Sequence, residues 1–95
     1  MIEQLTRQDF LDLSPDDLSV EHEGQQLKLQ VLETRDLPPI SPRQSPFVVV
    51  LGGPPSPVLP QGIYGLLHAR HGRHDLFIVP ISRDAEYTRY ELIFN

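Results

Sequence analysis

The residues best equipped for chemistry lie in one short run, His68-Ala69-Arg70-His71-Gly72-Arg73-His74, followed by Asp75. Neutral imidazole is a common metal ligand, and a tight turn can bring His68 and His74 together across two strands. A zinc site needs three or four converging donors, which makes His68, His71 and His74, with Asp75 in support, the metal candidates. Against this, the chain has no cysteine and no HExxH framework, and His71 sits at the turn, where it would point away from a cross-strand pair. The expectation is therefore no metal and no cofactor. The tip reads instead as an exposed, weakly basic, pH-sensitive loop, whose Arg70, His71 and Arg73 are candidates to meet an anionic partner.

Other chemistries have less support. Asp16-Asp17 and Asp84/Glu86 are carboxylate pairs, which can do acid–base work only when burial raises one pKa. Both pairs fall in expected turns, where acids are solvated or cap an amide. Ser14, Ser41, Ser45, Ser56 and Ser82 sit beside prolines or in turns, and no GxSxG elbow is present. Gly52-Gly53-Pro54-Pro55 is a turn and not a phosphate loop, and Lys28 is the single lysine. The expectation is that the protein is not an enzyme. Residues 39–42, 54–57 and 57–60 formally match PxxP, which adds Pro55 and Pro57 to the partner-binding candidates.

The elements that must position these residues are mostly strands. Thr6-Arg7-Gln8-Asp9 fits a capping pattern for a short helix over about 6–13, with Leu5 and Phe10 at the staple positions. A helix this short is unstable alone, so Leu5, Phe10 and Leu13 are expected to dock on an open end or edge of a sheet. A hairpin follows, turning at Glu23-Gly24-Gln25. In its returning strand Leu27, Leu29 and Val31 face inward, and Gln26, Lys28 and Gln30 outward.

Eight of the ten prolines fall in residues 37–60, in connections over 37–46 and 54–60. Between them Phe47-Val48-Val49-Val50-Leu51 reads as a strand covered on both faces. Residues 61–95 form a β-meander. Tyr64, Leu66 and His68 share one face of its first strand, opposite Ile63 and Leu67. Leu76 to Ile81 is apolar on both faces, and Tyr90, Leu92 and Phe94 line one side of the last strand. The sum is a mainly β fold: a small antiparallel barrel or two-sheet sandwich of about six strands with one short N-terminal helix, forming one domain over 1–95.

Charge narrows the partners. Nine acids stand against Arg7, Lys28 and Arg35 in the first 36 residues, and four acids against five arginines in the rest. With a net charge of −5, nucleic-acid binding is not expected, since phosphate affinity needs concentrated positive charge. The polar start MIEQLTRQDF is unlike a signal peptide, and no apolar run is long enough to span a bilayer, so a cytoplasmic protein without a membrane role is expected.

One combination of residues carries a resemblance. Leu59-Pro60-Gln61-Gly62, Tyr64, His68, Gly72, Leu76-Phe77-Ile78-Val79-Pro80, Arg83-Asp84-Ala85, Tyr90-Glu91 and Phe94-Asn95 together resemble a small bacterial family of domains of unknown function, the DUF6916 type. The likeness covers residues 45–95 well and the N-terminal third more loosely. It implies an architecture and brings no catalytic residues. It also implies a role as an accessory or adaptor to a phage-tail-like fibre or secreted assembly, with a tail-collar-like fibre protein as partner. The functional expectation is thus a non-enzymatic protein-interaction or adaptor module that binds another protein or itself. The alternative is a small-ligand or metal-binding domain using the histidine-rich tip.

Overall fold

The computed structural model describes residues 5–14, 16–38 and 46–94. The capping box forms as the sequence requires. The Thr6 hydroxyl accepts from the Asp9 amide, and the Asp9 carboxylate accepts from the Thr6 amide at 2.8 Å. Helix α1 runs only over Arg7–Leu11, shorter than expected, with Asp12 as its C-cap. The chain must turn here to enter β1: the Ser14 amide donates to the Asp17 carboxylate and the Asp17 amide to the Ser14 carbonyl. Leu5 and Phe10 are both buried, so the expected docking of the helix holds.

Seven antiparallel strands are present among the described residues: β1 (Leu18–His22), β2 (Gln25–Lys28), β3 (Gln30–Asp36), β4 (Phe47–Gly53), β5 (Gly62–His68), β6 (Gly72–Arg83) and β7 (Thr88–Phe94). They form one curled half-barrel in the order β2-β1-β5-β6-β7-β4-β3. The expected count of about six differs because the returning strand of the first hairpin breaks at Leu29. Its first half pairs with β1 and its second half with β4. The two ends of the sheet are therefore successive halves of one bent segment. Strand β6 bends likewise, pairing with β5 up to Ile78 and with β7 from Val79, with a register shift between Pro80 and Ser82. Proline, which cannot donate to a ladder, suits that corner.

The expected face assignments of the meander hold. Leu66, His68, Ile78, Tyr90 and Leu92 turn inward and join Leu18, Val20, Leu29, Val49, Leu51 and Leu59 in one core. The helix closes one end of this core. Phe10 lies 5.5 Å from Phe94 and 6.2 Å from Phe47, whose rings stack on each other at 4.5 Å. Burying a side chain of that size contributes about 2–3 kcal/mol, which a five-residue helix lacks on its own.

Strand β4 is buried throughout, as expected of a strand covered on both faces. On its outer side Val48 and Val50 pair across to Arg35 and Glu33 of β3 and to Ile93 and Glu91 of β7. Arg35 bridges Glu33 and Glu91 there. Both valines are buried there, at 3% and 7% exposure.

The loop 54–60 is tied down at three backbone atoms. Arg83 and Thr88 donate to the Pro55 carbonyl, the Leu59 amide donates to the Tyr90 hydroxyl at 3.0 Å, and the Tyr64 hydroxyl donates to the Pro60 carbonyl. The other proline connection, 37–46, lies mostly outside the described residues, as does the PxxP match at 39–42.

Candidate functional site

The histidine-rich tip is built differently from its sequence reading. His68 stands opposite Gly72, and His74 opposite Leu66, so the expected His68–His74 cross-strand pair does not form. The reason is the turn: residues 69–71 make it, and Gly72, at φ +74°, closes it in a conformation that glycine adopts without strain.

His68 is buried, at 3% exposure, and both its ring nitrogens are engaged. Nε2 donates to the Asp9 carbonyl at 2.8 Å. Nδ1 accepts from the amides of Arg70 and His71 at 3.1 and 3.3 Å. Two donors pointed at Nδ1 fix the Nε2–H tautomer and leave no lone pair for a cation. The ring also lies edge-on to Phe10 at 5.9 Å.

His71 turns toward the helix rather than away from the tip. Its Nε2 lies 2.9 Å from an Asp9 carboxylate oxygen, and its ring packs 4.9 Å from that of His68. His74 Nε2 donates to the His71 carbonyl. Arg70 reaches the Asp9 carbonyl at 3.4 Å. Arg73 forms ion pairs with Glu21 and Asp75.

Asp9 is therefore the hub of the tip. Burial pushes its carboxyl up, but hydrogen bonds from the Thr6 amide, His71 and the Thr6 hydroxyl outweigh that and hold it below its usual range. Among the described residues no three His, Cys, Asp or Glu side chains converge as a metal site would require. What this cluster does chemically is fasten the plug helix to the β5–β6 hairpin.

The opposite end of the half-barrel carries the remaining candidates. The Asp84 carboxylate accepts from the amides of Glu86 and Tyr87 and from Arg89, which holds its pKa at about 2. Neither acid pair is arranged as a general acid and base: Asp84 shapes a turn, and Asp16 pairs with Lys28 at 2.9 Å. Pro55 is half-buried and lines a depression of about 320 Å³ with Arg83, Asp84 and Ala85, and Pro57 is exposed.

Two features of the surface escaped the sequence reading. One is an apolar patch on the outer face of the β5–β6 hairpin. Ile63 stands directly opposite Phe77, and the two are 71% and 53% exposed. Half-buried Val79 continues the same face of β6, and Ile81 and Ile93 are also exposed. The signal was available: both residues occupy the phase of the alternation in which a half-buried strand should be polar.

The other feature is a groove of about 220 Å³ beside the Leu29 corner, bounded by Lys28, Leu29, Gly52, Gly53, Pro54, Glu86 and Tyr87 among others. The Tyr87 ring packs on Gly52, where any Cβ would lie 2.8 Å from it, and its hydroxyl donates to Gln30. No local pattern predicts that groove, because it arises where one strand bends between two partners.

Residues 5–94 match a sequence family described as a domain of unknown function (DUF6916). The match extends the resemblance across the N-terminal helix and first hairpin. No curated protein and no solved structure matches the chain.

Proposed function

This chain belongs to the DUF6916 family, whose name assigns it no chemistry, and we propose that it is a non-enzymatic module that binds another protein through the outer face of the β5–β6 hairpin. The observation that carries this reading is the exposed, register-paired Ile63 and Phe77. Single surface apolar residues are ordinary, but contiguous ones cost solubility and mark contact surfaces. Flanking Arg73, Asp75 and Glu21 supply the polar rim that protein interfaces have.

The reading moves the contact surface from the tip itself to the face beside it. The rings of His68, His71 and His74 are engaged within the fold, which speaks against the metal-binding alternative. An adaptor role fits the same surface.

The test compares the wild-type chain with Phe77→Asp. Sedimentation velocity over a range of concentrations reads self-association, and affinity capture under matched conditions reads a partner. A captured protein that the variant loses, with unchanged melting temperature, supports the reading. Concentration-dependent dimers abolished by the variant would place a second copy on this face instead. Equal capture by both chains removes the face from the account.

A further inference from the structure

We propose that the free edge of β2 takes an extended peptide segment by strand addition, with an apolar side chain of that segment seated in the groove at the Leu29 corner and a basic one meeting Glu86. This site is separate from the β5–β6 face and does not depend on it.

The backbone sets up the edge. The Leu29 amide donates to the Leu18 carbonyl, and antiparallel ladder bonds recur at every second residue. Gln25, Leu27 and Leu29 therefore face β1, in agreement with the two-residue Glu23-Gly24 turn and its positive φ angles. Gln26 and Lys28 turn their N–H and C=O groups to the other side. There β2 ends the sheet, because the chain bends at Leu29 and only its second half continues along β4. The corresponding edge of β3 is occupied by the helix: Arg7 donates to Thr34 and pairs with Asp36. The β2 edge has no such cover among the described residues.

The surroundings favour an incoming strand of particular character. Unpaired edges attract other strands, and natural proteins blunt them with lysine. Lys28 is in place to do so, and its ammonium pairs with Asp16 at 2.9 Å. Leu29, Gly52, Gly53 and Pro54 offer an apolar seat next to the edge, and the Tyr87 ring forms one wall. Glu86 stands on the rim, and its carboxylate has no cation partner among the described residues. Main-chain bonds to Gln26 and Lys28 would supply affinity, and the groove and Glu86 would supply selectivity for alternating apolar and basic residues.

The experiment titrates the full chain with a short capped peptide alternating Val with Arg, following amide exchange by NMR. The expected result is exchange slowed by about tenfold at Gln26 and Lys28, with binding about tenfold weaker for a peptide alternating Val with Glu. N-methylation of the Val/Arg peptide at its outward amides should abolish protection without altering the protein. Gln26→Pro, which removes an N–H that the fold does not use, should weaken binding similarly. Glu86→Arg should reverse the preference between the two peptides. Binding that leaves the Gln26 and Lys28 amides unprotected overturns the proposal, as does no binding. Protection that appears without peptide and grows with protein concentration assigns the edge to a second copy and equally overturns it.

Discussion

The β5–β6 hairpin carries two regions that contrast in chemistry and in use. At its tip, His68, His71 and His74 look reactive and are spent on structure: their ring nitrogens bond to Asp9, to turn amides and to the His71 carbonyl. Along its outer face, Ile63 and Phe77 look inert, stand exposed, and have no structural task that their burial would reveal. The comparison teaches that residue type alone misassigns function in a small domain. Polar side chains near a buried helix end are needed to satisfy the backbone there. An apolar side chain facing water has no such duty.

The outer face of β4 sharpens the point. Val48 and Val50 also point outward, but they are buried beside the Arg35 network. Over β5 and β6 the corresponding network, Arg73 with Glu21 and Asp75, lies across Gly65 and leaves Ile63 and Phe77 exposed.

The largest expected effect breaks the tip side of the comparison. Phe10→Ala removes the side chain that closes the barrel end and should cost about 3–5 kcal/mol in urea unfolding. A loss under about 1 kcal/mol would mean that the helix is not a plug.

His68→Leu keeps the volume but strips the Arg70 and His71 amides of their acceptor. It should cost roughly 2–3 kcal/mol, and zinc should not raise the melting temperature of the wild-type chain. A zinc-dependent rise would return the tip to metal chemistry.

Smaller again is the acid limb of stability. The carboxyls of Asp9 and Asp84 are held below their ordinary value of 3.8, that of Asp84 at about 2. Between those values the unfolded chain binds more protons than the folded one, so stability rises with pH. The urea midpoint should therefore fall as pH drops from about 4 towards 2. Asp84→Asn should remove part of that fall.

Much of the fold was legible because periodicity is a local property. The alternation in residues 61–94 assigned the inward faces correctly, and Thr6-x-x-Asp9 located the helix start. The break at Leu29 was not legible, since Leu27, Leu29 and Val31 keep strict alternation across it while the strand changes partners. The turn misled in a different way. Gly72 marked it, but counting the residues 69–71 ahead of Gly72 into the turn shifts the register and separates His68 from His74. Asp9 as the hub of the tip was invisible because it lies 59 residues from His68 in the chain, and only the folded helix brings them together.

The most direct measurement pairs stability with association in one double variant, Ile63→Asp/Phe77→Asp. The account predicts unfolding free energy within about 0.5 kcal/mol of wild type, together with loss of any partner protein that the wild-type chain captures. A drop of several kcal/mol would show that the outer face holds the fold together, and unchanged association would show that binding lies elsewhere.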